Sequence, residues 1–191
     1  MRLSVLCCVL FSALAFTSGC SHVVGIASEE PVAQDRSKRS LGAALDDEKI
    51  EIAALVNIRK ASPLLENANI SVTSFNGIVL LTGQVQAADL KALTEQEVRK
   101  IHRVREVHNE LAIRGNATLL TATSDTWLTS KVKTKMIADM NLESGRVKIV
   151  SEAGTVYIMG LLTRKEADRA TEIARNTGGV QKVVKVVEYI D

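Results

Sequence analysis

The sequence predicts an α+β chain built from two tandem copies of one small domain. Each copy is ordered helix, strand, strand, helix, strand, with a three-stranded mixed sheet covered by two helices. Two observations carry this expectation. First, the chain repeats itself: "ANISVTSFNGIVLLTG" (68–83) lies over "GRVKIVSEAGTVYIMG" (145–160), aligning Ile70 with Val147, Val72 with Ile149, Gly77 with Gly154, Val79 with Val156 and Gly83 with Gly160. In each stretch alternating apolar residues flank Asn76-Gly77 or Ala153-Gly154, a hairpin signal in which glycine supplies the positive φ of a tight turn. Second, a helical period precedes each hairpin: Ile50, Ala54 and Ile58 in the first copy, and Leu128, Val132 and Met136 in the second, are spaced by four and form one stripe of a helix.

The elements follow in chain order. Arg2, an apolar run over 3–16, and the small residues Ser18 and Gly19 have the layout of a secretory signal peptide, assigned to 1–19. The run falls short of the roughly 20 residues that a lasting transmembrane helix needs. The run ends in "TSGC", which resembles a bacterial lipobox, with Thr17 where leucine is usual. The resemblance implies cleavage before Cys20 and lipid attachment (thioether diacylglycerol and an N-acyl chain) at that cysteine. Ser21 rather than aspartate after it implies the inner leaflet of the outer membrane as destination. One acyl chain anchors reversibly, whereas three hold a protein on a membrane indefinitely. Cys7 and Cys8 would leave with the signal peptide, so no disulfide is expected in the mature chain. Residues 20–45 mix Gly, Ser, Pro31 and scattered charges without periodicity, as the lipidated N-terminus and a flexible linker do.

The first copy is expected over 46–115 and the second over 124–191, joined by a linker at 116–123. Asp46 or Asp47, and Ser124 or Asp125, are the expected N-caps of the leading helices. After each hairpin come a charged helical segment (88–99 and 165–176) and a final apolar strand (104–113 and 180–190). About 70 residues per copy suffice for a small α+β domain. This order, with Gly154-Thr155-Val156-Tyr157-Ile158-Met159-Gly160 in the hairpin and Gly179-Val180 and Val183 leading into the last strand, resembles the BON domain, a family of periplasmic modules. In the first copy Arg103 replaces the glycine before Val104, so its turn is expected to differ. Two BON-like copies behind a lipobox imply, by resemblance, a lipid-anchored protein on the periplasmic face of the outer membrane. They further imply a role in envelope integrity and cell division, and contact with anionic phospholipid.

Composition and motifs exclude several function classes. Without Arg2 the mature chain has 24 − 1 = 23 basic residues against 22 acidic ones, far from the basic excess of a nucleic-acid binder. His22, His102 and His108 do not fall at metal-ligand spacing. Gly178-Gly179 precedes a strand rather than opening a helix, so it is no phosphate loop, and a Gly-x-Ser-x-Gly elbow is absent. No enzyme activity, cofactor or metal is expected.

Local asymmetry singles out the leading helix of the second copy, "SDTWLTSKVKTKMIAD" (124–139). With Leu128, Val132 and Met136 as the core stripe, Trp127, Lys131 and Lys135 fall in a second stripe beside it, and Lys133 lies further round. Tryptophan favours headgroup depth in a bilayer, and each lysine near an anionic surface contributes about 1 kcal/mol. Trp127, Leu128, Lys131, Lys133 and Lys135 are therefore the candidate phospholipid-binding residues, and anionic phospholipids of the outer-membrane inner leaflet the candidate partner. In the first copy Lys49 stands where Trp127 is, with Ala53 and Asn57 opposite Lys131 and Lys135. There Ile52, Leu55 and Val56 spread apolar surface around the helix, which is expected to dock on the second copy or on an envelope protein such as the assembly machinery.

Overall fold

The computed structural model describes residues 39–114 and 119–191, within a compact unit spanning Arg36–Asp191. The signal peptide, Cys20 and His22 lie outside the described residues. The first copy runs α1 (Leu41–Ala61), a short α2 (Pro63–Glu66), β1 (Ile70–Phe75), β2 (Ile78–Val85), α3 (Ala88–Arg99), β3 (Glu106–Asn109) and β4 (Ala112–Ile113). The second runs α4 (Leu119–Ile137), a 3-10 turn at Ser144–Arg146, β5 (Val147–Glu152), β6 (Thr155–Leu162), α5 (Arg164–Arg175) and β7 (Lys182–Tyr189).

Both sheets are mixed, as expected. The order is β1-β2-β3 in one and β5-β6-β7 in the other. The hairpins are antiparallel, with Val72 opposite Leu81 and Ile149 opposite Ile158, and the last strand runs parallel to the middle one. β4 continues β3 along β2 in unbroken register, Leu81 facing Asn109 and Gln84 facing Ala112. The two pieces are thus one strand interrupted at Glu110 and Leu111. Asn76 and Gly77 have φ of 52° and 77°, and Ala153 and Gly154 have 48° and 75°, the left-handed pair that matches a two-residue turn to the twist of its strands.

The expected N-caps are corrected. α1 starts at Leu41 with Ser40 as its cap, the Ser40 hydroxyl accepting from Ala43 N at 3.1 Å, and α4 starts at Leu119. The helices therefore take residues 41–45 from the expected N-terminal linker and 119–123 from the expected interdomain linker. Asp47 and Asp125 sit inside the helices and cap the hairpin turns instead. Asp47 Oδ1 accepts from Ser74 Oγ at 2.6 Å and Gly77 N at 2.9 Å, and its Oδ2 from Asn76 N at 2.7 Å. Asp125 accepts from Ala153 N at 2.7 Å and Gly154 N at 3.1 Å. A left-handed turn points successive N–H groups the same way, and these donors need a buried acceptor. The expected difference at Arg103 is also corrected. Arg103 adopts φ 72°, in the left-handed region where Gly179 has 106°, at a cost of about 1–2 kcal/mol for a residue with a Cβ. Its guanidinium pairs with Asp46.

Three apolar clusters define four layers. Ile50, Ala54 and Ile58 of α1, with Leu90 and Val98 of α3, pack on Val72, Val79, Leu81 and Val85. Leu128, Val132 and Met136 of α4, with Ala167, Ala170 and Ala174 of α5, pack on Val147, Ile149, Val156 and Ile158. The third cluster contains no helix residue. Phe75, Ile78 and Leu80 of the first sheet meet Tyr157, Met159, Leu161 and Val186 of the second. The two sheets thus pack face to face with helices on both outer sides. All three clusters come from the compact unit, which carries its own core. The copies dock through the apolar faces of their sheets and not through the apolar side of α1, where Ile52 and Val56 stay 59% and 44% exposed. Polar contacts frame the junction: Arg105 grips Glu188 through Nη1 at 2.7 Å and Nη2 at 2.9 Å, Asn76 Nδ2 donates to Glu188 at 2.9 Å, and Lys148 Nζ reaches Glu51 at 3.0 Å.

Candidate membrane-contact surface

Two features fix the rotation of α4. Its apolar stripe enters the core, and buried Asp125 one turn earlier is tied to the hairpin of its own copy. Trp127 is thereby forced outward and is 60% exposed. The Lys131 ammonium lies 4.5 Å from the centroid of its ring, a cation–π distance. Leu128 is corrected: at 3% exposure it belongs to the core and offers nothing to a ligand.

The lysines are held rather than loose. Lys131 Nζ donates to Gly178 O at 3.0 Å, and Lys135 Nζ donates to Asn176 O at 3.1 Å. These carbonyls follow the last turn of α5, where the partial negative charge of the helix attracts cations. Each ammonium has three protons, so a carbonyl contact leaves others for a further acceptor. Lys133 is exposed on the opposite flank of α4 and makes no ion pair among the described residues. The structure thus brings Trp127, Lys131 and Lys135 together and leaves Lys133 apart from them.

Two further features of this region were not singled out from the sequence. Ile137 and Met140, at the end of α4 and just past it, are 62% and 100% exposed, so three of the large exposed apolar residues of the second copy lie along or just beyond this helix. The loop 176–179 is the other. Gly179 lies beside α4, where a Cβ would stand 3.4 Å from Leu128 Cδ1, in ordinary contact. The one signal for it was Gly178-Gly179, which sequence alone could not place beside α4. On the first copy the equivalent edge carries exposed Lys49 and half-buried Ala53 and Asn57, with no aromatic residue. Among the described residues no helix is long and apolar enough to cross a membrane.

The BON domain family matches residues 46–115 and 124–191. The chain is 35% identical over 185 residues to the outer membrane lipoprotein DolP of Haemophilus influenzae, covering 96% of this chain and 95% of that one. It is 34% identical to a 21 kDa hemolysin of Actinobacillus pleuropneumoniae, covering 80% and 78%. It is 27% identical to the osmotically inducible protein Y of Escherichia coli, covering 94% and 92%.

Proposed function

The chain belongs to the BON domain family and is an outer-membrane lipoprotein with two such domains, and from this we propose that its second domain binds anionic phospholipid of the leaflet to which the chain is anchored. The observation that carries the reading is the exposed Trp127 indole with the Lys131 ammonium 4.5 Å from its ring. An indole prefers the interface, where its ring is buried and its N–H stays wet. Lys131 and Lys135, which share the Trp127 edge, supply about 1 kcal/mol each next to an anionic surface. With the indole the sum is about 2–4 kcal/mol, which is millimolar or weaker binding from solution. A lipid anchor at Cys20 raises the local concentration of membrane, so weak contact suffices to orient the domain. The role is non-enzymatic: holding a folded module against the leaflet in support of envelope integrity, with enrichment at the division site following from the resemblance. The alternative, an adaptor that binds envelope proteins such as the assembly machinery through domain 1, draws on the exposed apolar face of α1.

Vesicle co-sedimentation of the unlipidated protein separates the readings. Phosphatidylglycerol vesicles are expected to retain it and phosphatidylcholine vesicles to release it. Binding should weaken as salt shortens the Debye length below about 10 Å, and both Trp127→Ala and Lys131→Glu should reduce it. Equal retention of wild type and both variants would remove this helix from consideration, and an adaptor would ignore vesicles altogether.

A further inference from the structure

We infer that the loop 176–179 is a positioning element of the lipid-contact surface, and that Gly178 is the position controlling how strongly the surface grips a phosphodiester. The inference rests on the reading of α4 as the contact. Two observations carry it. The carbonyls of Asn176 and Gly178 each hold one ammonium, Lys135 at 3.1 Å and Lys131 at 3.0 Å. Lysines four apart on a helix are neighbours on one face. Pinned at their far ends by the Asn176 and Gly178 carbonyls of one short loop, the two form a prearranged pair of charges rather than two solvated tethers. Ordering flexible lysines is ordinarily a cost of binding, and here the fold has met it in advance.

Gly178 has the second property. A Cβ built there points at Lys131, whose Nζ at 3.6 Å is the nearest atom, and this is ordinary van der Waals distance. The position is sterically open and faces the ammonium directly. Glycine leaves that ammonium unneutralised, whereas an acidic side chain at this one site would pair with Lys131 and withdraw it from any phosphate. A phosphodiester could come from a lipid headgroup or a free phosphate ester, and the experiment tells these apart.

The test uses the compact unit Arg36–Asp191 with vesicles of phosphatidylglycerol and phosphatidylcholine. Gly178→Asp is expected to weaken vesicle binding about fivefold, the loss of one surface lysine, and to flatten its salt dependence by about one charge. Gly178→Asn, of the same size without the charge, should bind as wild type, as should Gly178→Ala. Melting curves of all three should superimpose, separating a lost charge from a damaged fold. Inorganic phosphate at the same ionic strength as a chloride control should compete no better than chloride if the ligand is a headgroup presented at a surface. Strong competition would reassign the pair to free phosphate. The positioning role is overturned if Gly178→Asp binds like Gly178→Asn while Trp127→Ala still loses binding. Unaltered binding by Trp127→Ala as well would overturn the contact reading itself.

Discussion

Asp47→Asn is the sharpest perturbation of the fold, because it alters one atom of a buried group without opening a cavity. Asp47 Oδ1 accepts from Ser74 Oγ and Gly77 N, and its Oδ2 accepts from Asn76 N at 2.7 Å and from Arg39 Nη2 at 2.9 Å. The amide keeps one oxygen, so two of the four donors lose their acceptor and face an NH2 group instead. A hydrogen bond to a charged group is worth about 1.5–3 kcal/mol, so two of them put the cost at about 3–6 kcal/mol. In the second copy Asp125 accepts one turn N–H on each oxygen, so Asp125→Asn loses a single acceptor and should cost about 1.5–3 kcal/mol. Urea denaturation of the compact unit, followed by circular dichroism, measures both. At roughly 2–4 °C per kcal/mol for a chain of this size, thermal melts should place Asp47→Asn clearly below Asp125→Asn. A cost under about 1 kcal/mol for Asp47→Asn, or a larger cost for Asp125→Asn, would refute the account of these carboxylates as caps of the hairpin turns.

Three further outcomes are expected. At Gly83 and Gly160 a Cβ would stand 2.0 Å from Asn69 O and 2.3 Å from Arg146 O. Neither backbone oxygen can move freely, so Gly83→Ala and Gly160→Ala should each cost about 3 kcal/mol or more in urea melts that leave Gly145→Ala, which meets nothing within 4 Å, unchanged. The Arg105 guanidinium holds the Glu188 carboxyl below its ordinary value. The stability it contributes is present above the unfolded carboxylate value near pH 4 and is lost as pH falls through the lowered one, so Arg105→Ala should lower stability at neutral pH and flatten the acid limb. Burial first, then the Glu110 and Glu152 carboxylates, push the Tyr157 phenol up to about 12. Because the unfolded phenol ionises near pH 10, stability should fall as pH rises from about 10 through that value, and phenolate absorbance should show a delayed step that Leu161→Asp, by opening the junction, brings forward.

Much of this fold could be read from the amino acids. The repeat, the turns at Asn76-Gly77 and Ala153-Gly154, and the apolar stripes of α1 and α4 are local signals, and each sits where its period put it. What escaped was non-local. Asp47 and Asp125 have the residue type of an N-cap, and nothing in sequence distinguishes a carboxylate closing its own helix from one reaching a turn 30 residues away. The sheet junction left a trace that alternation alone did not use: Ile78-Val79-Leu80-Leu81 and Val156–Leu162 are nearly continuous apolar runs, the mark of strands buried on both faces. At the candidate site the rotation of α4 was legible, since Trp127 lies one residue before a core leucine. The carbonyls that hold Lys131 and Lys135 were not, because they lie more than 40 residues further along the chain.

The layers also decide how the two functional readings relate. One BON sheet has two apolar faces and enough helix to cover one of them, so a lone copy would leave Ile78 and Leu80, or Tyr157, Met159 and Leu161, against water. Duplication in tandem resolves this by giving each sheet the other as its cover. It also places α1 and α4 on opposite outer sides of one unit. Trp127 and the exposed Ile52 and Val56 are thus carried by helices in different outer layers. The proposed lipid contact of the second domain and the alternative protein contact of the first therefore draw on different helices. Substitutions on α1 should leave vesicle binding untouched, just as substitutions on α4 should leave any partner of α1 in place.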